Sequence, residues 1–475
     1  MTIEVDIAIL GGGPAGYTAA IRAAQLGKSV AVVEMERLGG TCLHQGCIPS
    51  KSLLRSAEVY HTVREAGAYG ILVESGSISL DYAKVLERKQ QTVDQLHRGL
   101  QSLMRKHGIQ VVKGKGRVIG PSIFSPRSGS LAVELADGEM ENVVSKHLIL
   151  ATGSRPRKLA GLDDGGQRIM TSDDALAMTE LPRSLLILGG GVIGIEWASM
   201  MNDFGVSVTL AEAAARLLPG EDSEVSAEME KLLTRRGVRV LTGINVDASS
   251  LSSGEAGVSV YADTEAGRVQ LEAERMLVSV GREARIDGIG LENTDVRTEH
   301  GIIPVNRMMQ TSEPHIYAVG DLNGGLQLAH AAAHEAIIAV EHICGLEPQP
   351  LEAHRIPRAI YSRPEIASIG YTEYEASKRG YAVKTGKLPF QAIGKAWVRG
   401  ETEGFVKVIA DRATSDLLGV HIIGPGATEI ISEASLAGLL DATPWEVSQA
   451  VRPHPSLSEA LGEAMLAVDG AAIAY

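Results

Sequence analysis

Asp6-Ile7-Ala8-Ile9-Leu10-Gly11-Gly12-Gly13-Pro14-Ala15-Gly16 is an apolar run that breaks into a glycine turn, and residues 17–26 behind it carry a helical pattern. That is strand, turn, helix. Gly11, Gly13 and Gly16 fit G-x-G-x-x-G, in which the glycines permit a tight turn and let a pyrophosphate reach a helix N-terminus. Alone the pattern is weak. Residues 29–33 add a second apolar strand ending in Glu34, a carboxylate placed to accept hydrogen bonds from a ribose. With both strands and the acid, the stretch reads as a dinucleotide-binding domain.

The same pattern returns at Ser184-Leu185-Leu186-Ile187-Leu188-Gly189-Gly190-Gly191-Val192-Ile193-Gly194, followed by a helix through Met201, a strand over 206–210, and Glu212. The first glycine and the acid stand 23 positions apart in both copies. Two copies imply two dinucleotides. His147-Leu148-Ile149-Leu150-Ala151-Thr152-Gly153-Ser154 and Leu277-Val278-Ser279-Val280-Gly281-Arg282 are buried-strand patterns ending in glycine turns, each where its nucleotide domain should close. Ile316-Tyr317-Ala318-Val319-Gly320-Asp321 is a third, and its Asp321 reads either as a contact to a sugar-like chain or as a helix cap. A polar helix is expected over 81–107. From Leu351 the pattern changes to alternating strands, at 404–410 and 418–424, and then to helices.

The chain of 475 residues is long enough for about three domains with self-sufficient cores. Its net charge of −13 argues against a nucleic-acid or anionic-membrane surface, which needs concentrated cationic charge. Met1-Thr2-Ile3-Glu4-Val5-Asp6 lacks the layout of a secretory signal, and no uncharged apolar run reaches the length of a membrane span. A cytoplasmic protein with no membrane segment is expected.

Two of the three cysteines lie in Leu38-Gly39-Gly40-Thr41-Cys42-Leu43-His44-Gln45-Gly46-Cys47-Ile48-Pro49-Ser50-Lys51. A redox-active disulfide, a structural disulfide and half of a metal site all suit the spacing. Pro49 fits a first helical turn and residues 50–60 continue as a helix, whose N-terminus would lower the pKa of Cys47. A reducing compartment disfavours a persistent structural disulfide and suits one that cycles. No metal site is expected. Beside two dinucleotides, a cycling dithiol suggests electrons passing among thiols, a flavin and a nicotinamide.

The two fingerprints, residues 39–51, Gly320-Asp321 and His454-Pro455-Ser456-Leu457-Ser458-Glu459 together resemble the flavin disulfide reductases, over the whole chain and in order. Within them the chain is similar to the branch that reoxidises dihydrolipoamide, and its wording to versions serving branched-chain 2-oxoacid complexes in Gram-positive bacteria. The resemblance implies an α/β fold with two Rossmann-like domains and a C-terminal α+β dimerisation domain. An FAD domain over 1–153, an NAD domain over 154–282, a segment over 283–350 completing the FAD domain and an interface domain over 351–475 are expected. FAD would be held by Gly11, Gly13, Gly16, Glu34, Thr41, Lys51, Gly116, Thr152, Gly153, Asp321 and Ala329. NAD would be held by Gly189, Gly191, Gly194, Glu212, Val246 and Gly281, with Glu212 disfavouring a 2′-phosphate.

For catalysis the resemblance implies that dihydrolipoamide attacks the disulfide at Cys42 and that Cys47 leaves as thiolate beside the flavin. Lys51 would stand near the flavin with Glu196 as its carboxylate partner. His454 would be the base, supplied across a homodimer interface to the other subunit's disulfide. The partners implied are the lipoyl domain and acyltransferase core of a 2-oxoacid dehydrogenase complex.

Glu459 has two readings: it orients His454, or it completes a capping box Ser456-x-x-Glu459. His44, where asparagine is frequent in the family, reads as a solvent-facing spacer or as a group tuning the thiol. Arg452 replaces a frequent histidine, and Cys344 reads as a small buried apolar residue. Glutathione-type reductases place arginine where Glu212 stands, and mercuric or large thioredoxin reductases need further C-terminal cysteines. A docking subunit without turnover is the reading from another class.

Overall fold

A computed structural model describes residues 2–74, 77–121, 129–163, 165–265 and 267–474. The chain divides into two compact units, one of residues 1–52, 84–157 and 282–353, the other of residues 53–83, 158–281 and 354–475. No helix among the described residues is long and apolar enough to cross a membrane.

The first unit is built on strands β1 (Thr2–Leu10) and β2 (Val30–Glu34), joined by helix α1 (Pro14–Gln25). Ile7, Ile9 and Val32 are fully buried, as expected of parallel strands covered on both faces. Helix α2 (Gly40–His44), the start of α3 (Cys47–Arg64) as far as residue 52, and α4 (Tyr82–Lys106) from residue 84 follow, then β3 (Gln110–Ile119), β4 (Ser130–Leu135) and β5 (Met140–Leu150). β1 pairs in parallel with β2 and β5, and β2 with β3, while β4 runs antiparallel between β3 and β5. The strand Ile316–Ala318 joins the same sheet in parallel with β5. α1 packs on helix Ala329–Ile343 over one face, where Ala19, Ala20, Ala23, Ala336 and Ala339 permit close approach.

The second unit repeats this order. Strands Arg239–Leu241, Ser207–Ala211, Ser184–Leu188, Arg275–Val278 and Ile169–Met170 form a parallel sheet in that sequence, with helix Val192–Asp203 in the place of α1. A three-stranded antiparallel meander, Asn245–Gly254, Gly257–Thr264 and Gly267–Ala273, is attached to it. Beyond residue 354 lies a five-stranded antiparallel sheet in the order Arg358–Ile360, Glu365–Gly370, Leu417–Gly424, Phe405–Asp411, Val383–Pro389. Helices Ala427–Leu439 and Glu459–Ala467 bury their apolar faces against it, around Phe390, Val406 and Ile422. The fold is α/β with two Rossmann-like portions and an α+β C-terminal portion.

Candidate active site

Both glycine turns are forced by close backbone approach. A Cβ on Gly11 would stand 2.3 Å from the Ala151 carbonyl oxygen, and one on Gly16 only 1.8 Å from that of Gly11. In the second copy, a Cβ on Gly189 would stand 2.4 Å from the Ser279 carbonyl oxygen and one on Gly194 1.9 Å from that of Gly189. α1 starts at Gly13 and helix Val192–Asp203 at Gly191, and neither N-cap has a side-chain hydrogen bond. Their first-turn N–H groups and dipoles are left to an anion, which is the chemistry of a pyrophosphate.

Glu34 and Glu212 do more than the sequence suggested. The Gly12 N–H donates to Glu34 Oε2 at 2.7 Å and the Glu36 N–H to Oε1 at 2.8 Å. Gly190 and Ala214 do the same to Glu212, at 2.5 and 2.6 Å. Each acid therefore braces its own glycine turn, and each oxygen keeps a lone pair for a ribose hydroxyl. The residues fit two dinucleotides.

The residues expected at FAD all lie in the first unit, and those expected at NAD lie in the second with Glu196, His454 and Glu459. Asp321 is no helix cap. It opens the short turn Asp321–Asn323, and its carboxylate accepts the Ser154 hydroxyl proton. Ser154 in turn accepts from Arg282 Nε at 2.8 Å, and Arg282 also donates to the Ser154 carbonyl at 2.9 Å. Glu335 holds the same turn through the Gly320 N–H at 2.7 Å and the Asn323 amide at 2.8 Å, while burial raises its carboxyl above the usual range. Thr152 donates to the Arg285 carbonyl at 2.7 Å, Gly153 has φ 70°, and Ala329 opens its helix. Gly116 has a packing reason to be glycine, since a Cβ there would meet Leu10 Cδ1 at 2.6 Å. Gly281 has φ 110° with open space beside it, and Val246 is half-buried against the core. Ser154, Arg282 and Glu335 carried no motif that sequence reasoning could use.

Gly39 and Gly40 have φ of 111° and 55° and turn the chain into α2, which carries Thr41 and Cys42. Cys47 opens α3 and Pro49 sits in its first turn, as expected. Cys42 and Cys47 are not joined in a disulfide in this structure, and each is half-buried and close enough to the other to shift the Cys42 thiol. The neighbouring Cys47, then burial, pushes the Cys42 thiol far up, against the pull of the Lys51 charge. Tyr17 on α1 is close enough that, after burial, charge on Cys42 and Cys47 raises its hydroxyl pKa. His44 is not a solvent-facing spacer: it is half-buried and its Nε2 lies 2.8 Å from the Leu38 carbonyl oxygen. Lys51 is half-buried on α3.

Glu196 is 5% exposed, and its Oε1 accepts the Tyr361 N–H at 3.0 Å. His454 is 79% exposed at its side chain, and its Nδ1 lies 2.8 Å from Glu459 Oε1. Glu459 Oε2 accepts the Ser456 N–H at 2.8 Å. The two readings of Glu459 therefore coexist, one per oxygen, although the Ser456 hydroxyl pairs with Ser458 rather than closing the box. Burial alone would raise the Glu459 carboxyl, but the Ser456 N–H and His454 bring it below its ordinary value. Arg452 anchors the segment before His454: it donates to the Ala450 carbonyl at 2.9 Å and the Val447 carbonyl at 3.2 Å and pairs with Glu433. Gly462 makes room for it, since a Cβ there would stand 2.5 Å from the guanidinium. Cys344, expected to be buried, is half-buried at the end of helix Ala329–Ile343, against the core.

Residues 5–336 match the family described as pyridine nucleotide-disulphide oxidoreductase, and residues 356–465 match its dimerisation domain. The chain is 58% identical to a dihydrolipoyl dehydrogenase of Bacillus subtilis and 40% identical to one of Zymomonas mobilis, each match covering 100% of both chains. Among solved structures it is similar to LpdA from Mycobacterium tuberculosis, at a TM-score of 0.89 and 28% identity over 98% of this chain and 99% of that one. It is also similar to the HOCl-induced flavoprotein disulfide reductase RclA from Escherichia coli, at a TM-score of 0.83 and 26% identity over 97% and 99%.

Proposed function

The chain belongs to the pyridine nucleotide-disulphide oxidoreductases, and on that premise we propose that Cys42 and Cys47 are the pair through which it takes electrons from dihydrolipoamide. Its activity is that of a dihydrolipoyl dehydrogenase, with FAD and NAD as cofactors. The observation that carries the role of the pair is its placement, with Cys47 as the first residue of α3 and Cys42 on the short helix α2 that the Gly39–Gly40 turn leads into.

His454, oriented by Glu459, takes the proton of a dihydrolipoamide thiol, since the thiolate is the nucleophile. That thiolate attacks the Cys42 sulfur of the oxidised pair, the Cys42–Cys47 bond breaks, and Cys47 leaves as thiolate. The second substrate thiol then displaces Cys42, giving lipoamide and a reduced pair. Bound beside the pair, FAD would supply the two-electron redox chemistry that links the reduced thiols to NAD, which would take up a hydride. Gly11, Gly13, Gly16, Glu34, Thr41, Gly116, Thr152, Gly153, Asp321 and Ala329 hold FAD, with Lys51 near the flavin and Glu196 as its carboxylate partner. Gly189, Gly191, Gly194, Glu212, Val246 and Gly281 hold NAD. Residues 1–153 and 283–350 form the FAD domain, 154–282 the NAD domain and 351–475 the interface domain.

The match to a dimerisation domain supports a homodimer in which His454 serves the partner subunit's disulfide. The lipoyl domain and acyltransferase core of a 2-oxoacid dehydrogenase complex, of the branched-chain kind, are the partners, and the cytoplasm, where a dithiol can cycle, is the location. Turnover of dihydrolipoamide with NAD and with NADP, beside glutathione disulfide with NADPH, tests the reading. We expect the first pair to dominate, and preference for the last would overturn it.

A further inference from the structure

Helix α4 holds the segment that leads into the cysteines. Asp94 pairs with Arg37 at 3.0 Å and is itself bonded by Gln90 at 3.1 Å. One turn further on, His97 Nδ1 lies 3.0 Å from the carbonyl oxygen of Leu38. His44 Nε2 lies 2.8 Å from the same oxygen, and the two rings meet edge to face at 5.1 Å. Arg88, nearer the start of α4, donates to the Ser52 carbonyl at 3.2 Å and to its hydroxyl at 3.0 Å.

A carbonyl oxygen only accepts, so both ring nitrogens carry hydrogen: Nε2 of His44 and Nδ1 of His97. His44 Nδ1 is buried and has no hydrogen-bond partner among the described residues. A second proton there would find no acceptor and would face Arg37 and His97, with Asp94 as the opposing charge. Burial first, then the charges of Arg37 and His97, bring the ring below its ordinary pKa. His44 therefore stays neutral and donates. Its bond to Leu38 closes a loop whose interior is Gly39, Gly40, Thr41, Cys42 and Leu43, so the cysteine lies between a left-handed glycine pair and the histidine that ties back to the carbonyl ahead of that pair.

We propose that His44 and His97 are positioning residues for the Cys42–Cys47 pair, acting through the one carbonyl oxygen they share. This rests on the reading that the pair reacts. A disulfide requires a narrow range of sulfur separation and dihedral angle. The two donors remove the freedom that Gly39 and Gly40 would otherwise give Cys42.

The test is the dithiol–disulfide equilibrium of the holoenzyme in a thiol redox buffer of dithiothreitol and its oxidised form, read by maleimide trapping and mass spectrometry. His44→Gln and His97→Asn place an amide N–H where the ring nitrogens stand, and both should lie within about twofold of the wild type. His44→Leu and His97→Leu remove the donors, and each should disfavour the disulfide about tenfold, roughly 30 mV toward easier reduction. His44→Asn stops short of the oxygen and gives the same result without an apolar side chain, so it decides the matter where a leucine variant fails to fold. A wild-type equilibrium in all donor-less variants, or an equal shift in the amide variants, would overturn the proposal. Cys42→Ser separates the two levels: dihydrolipoamide turnover that survives it sinks the assignment of the pair. Loss of turnover there, with the equilibrium unmoved in the histidine variants, sinks only the positioning role.

Discussion

The two glycine turns are copies of one another to the level of single hydrogen bonds, and they part at one residue. In both, an acid from the end of the second strand accepts the N–H of the middle glycine, Gly12 to Glu34 and Gly190 to Glu212. In both, a leucine lies against that glycine, Leu38 and Leu217. The next residue then donates to the glycine carbonyl, Gly39 to Gly12 at 2.8 Å and Leu218 to Gly190 at 2.9 Å. Leu218 even adopts the left-handed φ of 47° that Gly39 takes at 111°. After that the copies diverge. Gly40 presses on the first turn so closely that a Cβ would stand 2.8 Å from Gly13 Cα, and the cysteine helices follow. Gly191 in the second turn has open space beside it. There the chain passes to Pro219 and Glu221, whose carbonyls accept from Arg216, and Asp222 caps helix Ser223–Arg235. The shared part builds a cradle for a dinucleotide. A roofed cradle suits a cofactor that stays, and an open one suits a cofactor that exchanges at every turnover.

The largest effect should come from the part that only the first copy has. Cys47→Ser should abolish dihydrolipoamide turnover while NAD binding, followed by calorimetry on the holoenzyme, stays at its wild-type value. A lost NAD affinity would mean that the copies are not independent. His454→Gln should reduce turnover about 10²- to 10⁴-fold, the range of a positioned general base. Glu459→Gln should cost turnover more than stability, because one oxygen orients His454 and the other takes only the Ser456 N–H. A sharp drop in unfolding midpoint with turnover kept would assign the carboxylate to the helix start instead. Gly16→Ala and Gly194→Ala probe the shared part, since their Cβ atoms would meet carbonyl oxygens at 1.8 and 1.9 Å. The first should purify with little FAD, and the second should keep its FAD and raise KM for NAD. Equal loss of FAD from both would break the division of labour between the turns.

The fold was legible because its signals are local and repeated. Gly11 to Gly16 and Gly189 to Gly194 demand close backbone approach, and the apolar runs beside them can only be buried parallel strands. The cysteine pair was legible by spacing, but its surroundings were not. His97 lies 59 positions from Leu38, and Arg282 lies 128 from Ser154. Such contacts are made by tertiary packing and leave no periodic trace. His44 had two readings for the same reason: beside Cys42 in the sequence it looks like a spacer as readily as a tuning group, and the spacer reading fails because its ring turns back to the Leu38 carbonyl and meets His97. The offset of Glu34 and Glu212 marks them as candidates for a ribose, yet their bonds to Gly12 and Gly190 were invisible in a pattern that records only residue types.

Those two acids give the smallest and most discriminating test. Glu→Gln keeps one carbonyl oxygen, but its amide nitrogen must face a backbone N–H, Gly190 or Ala214 in the second copy and Gly12 or Glu36 in the first. One charge-assisted bond is lost in either case, a cost of about 1.5–3 kcal/mol for the turn and its ligand together. In the second copy the Leu218 N–H still holds the Gly190 carbonyl, as Gly39 does for Gly12 in the first, but among the described residues no counterpart of Gly40 covers Gly191. Glu212→Gln should therefore raise KM for NAD about tenfold or more, and should narrow the preference over NADP because the repulsion of a 2′-phosphate is removed. In the first copy the Gly39 N–H still holds the Gly12 carbonyl and Gly40 still covers Gly13. FAD content of Glu34→Gln after gel filtration should stay close to that of the wild type. If Glu34→Gln sheds FAD as readily as Glu212→Gln loses affinity for NAD, the roof contributes nothing to retention, and the difference between the turns lies in the cysteines alone.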